Sequence, residues 1–148
     1  MTQTETYKQL SARQMREVNA LPLGFAFNNN QFAEMMRNWG LDPETDKDKI
    51  IRFSTYSGFC RKTDADMIYK TFDRHAAELK EAITVDKTGE CFIKEMFLSE
   101  LENHEYSYTG DVSDAIAALG FTYEEITNNK ALSHGLALAA AEAMKNAE

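Results

Sequence analysis

"DKTGECFIKEMF", residues 86–97, lies between two apolar-striped segments, and its reading sets the fold. In a calcium-binding helix–loop–helix, oxygens come from loop positions 1, 3 and 5 and from a carbonyl at 7. Gly at 6 makes the bend, 8 is apolar, and Glu at 12 binds through both oxygens. Asp86, Thr88 and Glu90 stand at 1, 3 and 5, and Ile93 stands at 8. Cys91 replaces the bending Gly, and Phe97 at position 12 supplies no oxygen. Calcium takes about six to eight oxygens, and two carboxylates do not hold it against water. The stretch therefore reads as a tight helix–helix connection, with Asp86 near one helix end and Thr88-Gly89 making the turn.

Helices are predicted on both sides. Thr63 or Asp64 caps one that runs to about Thr84, with the stripe Ile68, Phe72, His75, Leu79, Ile83. The next carries Ile93, Phe97, Leu101 and His104. Asp111 caps a third that ends at Gly120. Thr122-x-x-Glu125 is a capping box, with Phe121 and Ile126 as its staple, and "ALSHGLALAAAEAMK" makes a final Ala-rich helix.

Working back toward the start, "KIIRFSTYSGFCRK" (49–62) reads as a hairpin with Ser57-Gly58 in its turn. "LPLGFAF" (21–27) reads as a short buried strand that joins it. Between them, an Asn-rich cap opens a helix with Phe32, Met35, Met36 and Trp39 at i, i+3, i+4, i+7, stopped by Gly40. Ser11-x-x-Gln14, flanked by Leu10 and Met15, predicts a first helix over about 12–20. The expected fold is α+β: a mostly helical single domain, residues 1–148, with a small antiparallel sheet of about three strands.

The chain's 148 residues, 43% apolar, suffice for one core. No apolar run reaches membrane-spanning length, and "MTQTETYKQL" has no signal-peptide pattern. Cys60 and Cys91 have no CxxC spacing and read as reduced, partly buried thiols. The expected location is cytoplasmic.

The net charge of −8 is unevenly spread. Residues 1–40 carry +1, residues 41–80 are neutral, and residues 81–148 carry −9. Between 95 and 129 stand Glu95, Glu100, Glu102, Glu105, Asp111, Asp114, Glu124 and Glu125, with no Lys or Arg. Tyr106, Tyr108 and Tyr123 lie among them. Carboxylates interleaved with tyrosine suit the gripping of Arg and Lys side chains. An acidic face also keeps a protein dispersed, and that bland role is open to it.

"AIAALGFTYEEI" (115–126) has the helix–Gly–Thr cap–helix form of a DNA-binding turn. Its second helix opens on Glu124 and Glu125, which repel phosphate, so the turn reads as structural and no direct nucleic acid is expected. His75 and His104, with Glu78 and Glu100, form an alternative metal cluster. Carboxylate-bridged bundles use Glu-x-x-His, which neither helix contains, so two hydrogen-bonded histidines are expected and no cofactor. There is no nucleophile elbow and no phosphate-cradling glycine loop.

"FDRHAAELKEAI", "DKTGECFIKEMFLSELENHEYSYTGD" and "AIAALGFTYEEI" resemble segments of small proteins of bacterial phages and mobile elements. The resemblance extends from about Leu21 onward and implies no activity. By context it implies an inhibitor of host defence, in the manner of anti-CRISPR proteins. The sequence thus leads to a non-enzymatic acidic interaction protein. Its expected partner is the basic surface of a host nucleic-acid-binding protein, met through Glu95, Glu102, Glu105, Tyr106, Tyr108, Asp111, Asp114, Glu124 and Glu125.

Overall fold

The computed structural model describes residues 5–53 and 58–147. The elements run α1 (Tyr7–Asn19), β1 (Gly24–Phe25), α2 (Asn29–Asn38), a 3-10 turn (Lys47–Lys49), β2 (Ile50–Phe53), β3 (Gly58–Arg61), α3 (Lys62–Val85), α4 (Phe92–Asn103), α5 (Tyr106–Thr109), α6 (Ser113–Ala118), α7 (Tyr123–Thr127) and α8 (Lys130–Asn146). The architecture is α+β and mostly helical, with one antiparallel sheet of order β1-β3-β2. Among the described residues, no helix is long and apolar enough to cross a membrane. Contacts divide the chain into two compact units, Met1–Arg13 with Ala77–Glu148, and Gln14–Ala76.

In the unit Gln14–Ala76, β3 is the central strand. Its Phe59 pairs with Gly24 of β1 and with Arg52 of β2. Cys60 and Ile68 are fully buried, and Leu21, Leu23, Ile51 and Phe53 pack around them. Met35 and Met36 of α2 form a second cluster with Phe32, Trp39 and Phe59. The Asn28 carboxamide accepts the Gln31 N–H at 2.8 Å to cap α2, and Gly40 (φ 74°) ends it in the left-handed region. The buried strand expected over 21–27 shrinks to Gly24–Phe25, and Phe25 and Phe27 lie exposed. β1 meets the sheet through two residue pairs only, so the apolar run outlasts the ladder that would bury it. Of the expected turn, Ser57 lies outside the described residues, and Gly58 is the first residue of β3.

In the other unit, α4 is the core element. Ile93, Met96, Phe97 and Leu101 are fully buried, and α8 packs along them. That packing is close at one point. Gly89 (φ 84°) lies against the Ala131 carbonyl, and a Cβ at Gly89 would fall 2.0 Å from that oxygen. A side chain at Gly135 would likewise meet Ile93 Cγ2 at 2.5 Å. Tyr7 and Leu10 of α1 are buried in the same cluster, Tyr7 edge-on to Phe92.

α1 begins more than a turn earlier than expected, at Tyr7. Its capping box is Thr6-x-x-Gln9: Thr6 Oγ1 accepts the Gln9 N–H at 3.2 Å, and Gln9 Oε1 accepts the Thr6 N–H at 3.0 Å. Ser11 sits inside the helix and Met15 is exposed, so no staple forms there. Burial of Tyr7 and Leu10 sets the start of the helix instead. The Thr122–Glu125 box forms as expected, with Ile126 buried and Phe121 against Phe97. The one-turn helix α5 was not expected; it lies between the helix read through His104 and the one read as capped by Asp111.

Candidate functional site

The acidic segment starts on α4. Glu95 and Glu102 are seven residues apart, two turns, on the side away from Phe97 and Leu101. Glu102 is exposed, whereas Glu95 is half-buried and accepts the Lys8 N–H at 3.3 Å. Glu100 turns inward instead. It accepts the Tyr7 hydroxyl at 2.9 Å and lies 3.7 Å from His104 Nδ1. Burial first, and then the Glu100 carboxylate, push the Tyr7 phenol well above its ordinary range.

Beyond α4 the chain turns through Glu105, which takes left-handed backbone (φ 56°), and Gly110 closes α5 in the same region. Tyr106 packs on the core, while Tyr108 stands 88% exposed. Asp111 accepts the Ser113 N–H at 2.8 Å. The Ser113 hydroxyl and N–H hold its carboxyl below the ordinary aspartate range. Asp114 is exposed in the first turn of α6, which packs on α4. Glu124 and Glu125 open α7, and Glu125 Oε1 accepts the Thr122 N–H at 2.9 Å. Tyr123 beside them is 65% exposed.

Six of the sequence-predicted carboxylates are therefore exposed: Glu102, Glu105, Asp111, Asp114, Glu124 and Glu125. Among the described residues, no lysine, arginine or histidine forms an ion pair with any of them. Tyr108 and Tyr123 stand open with them. Glu95, and Tyr106 with its ring on the core, contribute less to the surface than their types suggested. α6 and α7, on either side of the turn at 115–126, are six and five residues long.

The calcium-like loop is held by its own backbone. Asp86 is 9% exposed. Its Oδ1 accepts the Gly89 N–H at 3.0 Å, and its Oδ2 accepts the N–H groups of Cys91 at 3.1 Å and Ile93 at 3.0 Å. Burial alone would raise the Asp86 pKa, but the N–H donors of Ile93, Gly89 and Cys91 outweigh it and hold the carboxyl below its ordinary range. Glu90 turns to His134, 3.2 Å from Nε2. The carboxylate a cation would need thus satisfies the start of α4.

The histidines go to separate partners. His75 is buried, and its Nε2 lies 3.0 Å from Glu17 Oε1, which also pairs with Arg74. Glu78 pairs with Arg13 at 3.2 Å. His104 Nδ1 lies 2.8 Å from the Glu100 carbonyl oxygen. Among the described residues, no three His, Cys, Asp or Glu side chains gather to hold a metal, so His75, Glu78, Glu100 and His104 do not assemble as one. Glu17, the partner of His75, was missed because it lies 58 residues away in sequence. Of the two thiols expected to be partly buried, Cys60 is fully buried, its thiol pushed up by burial and by Asp64, and Cys91 is exposed.

The sequence profile of a family of unknown function, DUF7659, matches residues 6–142. Neither the curated proteins nor the solved structures include a match.

Proposed function

The chain belongs to the DUF7659 family of unknown function, and we propose that it is an acidic interaction protein whose residues 95–125 dock on a basic protein surface. One observation carries this reading: six exposed carboxylates without an ion-pair partner among the described residues, in a stretch with no Lys or Arg, beside two open tyrosine rings. Such a surface offers charge-assisted hydrogen bonds and ring faces to guanidinium and ammonium groups, and it repels a polyanion. The basic surface that fits it best is one that otherwise holds a nucleic-acid backbone, which the carboxylates would replace. The resemblance to phage and mobile-element proteins narrows the partner to a host defence protein that binds nucleic acid.

The test is a pull-down from nuclease-treated host lysate, using the wild-type chain and a variant with Glu102, Glu105, Asp111 and Asp114 all changed to Lys. The wild type should retain a basic nucleic-acid-binding protein that added duplex DNA displaces, and the variant should not. The four side chains are exposed, and the Ser113 N–H that Asp111 accepts lies at the start of the six-residue α6, so the variant should keep most of its helical circular dichroism. Equal retention by both chains, or retention indifferent to DNA, would refute the reading.

A further inference from the structure

We propose that the unit Gln14–Ala76 binds a small organic cation with an apolar body, at a site separate from the acidic segment. Two clefts share Leu23 and Phe25 in their walls. The larger, about 530 Å³, is walled by Val18, Phe53, Tyr69 and Phe72 and is almost wholly apolar. Its volume falls in the range of small-molecule sites, roughly 300–1,000 Å³. The smaller, about 300 Å³, is lined by Trp39 together with Gln31, Glu34 and Asn38 of α2.

The local sequence explains the shape. Gly24 has no side chain, and a Cβ there would fall 2.5 Å from Met35 Sδ and 2.8 Å from the Trp39 ring. Its absence lets α2 bring Trp39 against β1. Glu34 and Asn38 are four apart, one helical turn, and both reach the same cleft. Phe25, common to both clefts, is left 57% exposed, and Phe72 and Tyr69 are also partly open.

The charges select the ligand. Among the described residues lining either cleft, Glu34 is the one Asp, Glu, Lys, Arg or His side chain, and it has no ion-pair partner among the described residues. A carboxylate beside indole and phenyl rings attracts an ammonium group and repels an anion. The adjoining apolar cavity takes a hydrocarbon or aromatic body. A neutral apolar molecule would use the larger cleft alone, and a simple cation only the smaller. The ligand that uses both carries an ammonium or guanidinium group on an apolar body.

Trp39 is the chain's single tryptophan and lines the smaller cleft, so its fluorescence reads occupancy directly. The full chain is titrated with phenylalkyl ammonium ions of graded chain length and with the matching alcohols. The ammonium ions should give a saturable change and bind roughly tenfold tighter than the alcohols. Glu34→Gln should erase that preference and leave alcohol binding in place. Phe72→Ala should weaken both; if it fails to fold, Phe25→Ala, at an exposed position, serves in its place. No saturable change up to millimolar ligand, or a preference that survives Glu34→Gln, would overturn the proposal. So would a short peptide with Lys beside Phe that binds more tightly than every free amine, which would mark a protein partner instead.

Discussion

Removing the Asp86 carboxylate tests how the loop at 86–91 is held. In Asp86→Ala, the N–H groups of Gly89, Cys91 and Ile93 lose their acceptor, and those of Gly89 and Ile93 belong to buried residues. A hydrogen bond to a charged group contributes about 1.5–3 kcal/mol, and bonds that share one acceptor do not add in full. The expected loss is about 3–5 kcal/mol, a large part of a total stability of roughly 5–15 kcal/mol. Asp86→Asn keeps the shape but sets an amide nitrogen against an N–H, and should lose about 2 kcal/mol. Urea unfolding followed by circular dichroism measures both. The folded-state carboxyl is held below its unfolded value of about 3.9, so its contribution is complete above that pH and fades as pH falls below it. The gap between wild type and Asp86→Asn should therefore narrow in acid. Calcium should leave the wild-type midpoint unmoved, because both Asp86 oxygens already accept backbone donors. An Asp86→Ala loss below about 1 kcal/mol, a gap that is constant with pH, or a calcium-raised midpoint would refute this account of the loop.

Gly89→Ala should destabilise by about 3 kcal/mol or more in the same urea assay, since positive φ and a Cβ driven into the Ala131 carbonyl act together. Thr122→Ala should cost about 1 kcal/mol through the lost capping box, read as a lower urea midpoint. In an alkaline absorbance titration, Tyr7 should stay protonated well above the ordinary phenol range and give a late step. Its raised pKa favours the fold below the unfolded value of about 10, and that contribution is lost as pH rises through the folded value, so Tyr7→Phe should remove the late step. With a thiol reagent, Cys91 should react at once and Cys60 only in denaturant; two fast thiols would contradict the burial of Cys60.

The readable parts of the fold are those in which partners lie within a few residues of each other. Thr122 and Glu125 form their box inside one turn, and Ile93, Phe97 and Leu101 make their stripe by spacing alone. Thr6-x-x-Gln9 and Ser11-x-x-Gln14 have the same local form, and burial of Tyr7 beside Phe92, far along the chain, decides between them. β1 is short because its ladder depends on a strand more than thirty residues later. The carboxylates of 102–125 were readable as exposed because their neighbours include no basic residue. The inward turn of Glu100 toward Tyr7 was not readable, because the partner sits 93 residues away. Asp86 was readable as part of a tight connection, and its backbone donors Gly89, Cys91 and Ile93 lie within a few residues of it.

Carbodiimide cross-linking of the chain to its captured partner, mapped by mass spectrometry, tests the central claim most directly. The docking account predicts bonds from Glu102, Glu105, Asp111, Asp114, Glu124 or Glu125 to lysines of the partner. Bonds confined to carboxylates of residues 14–76 would contradict it.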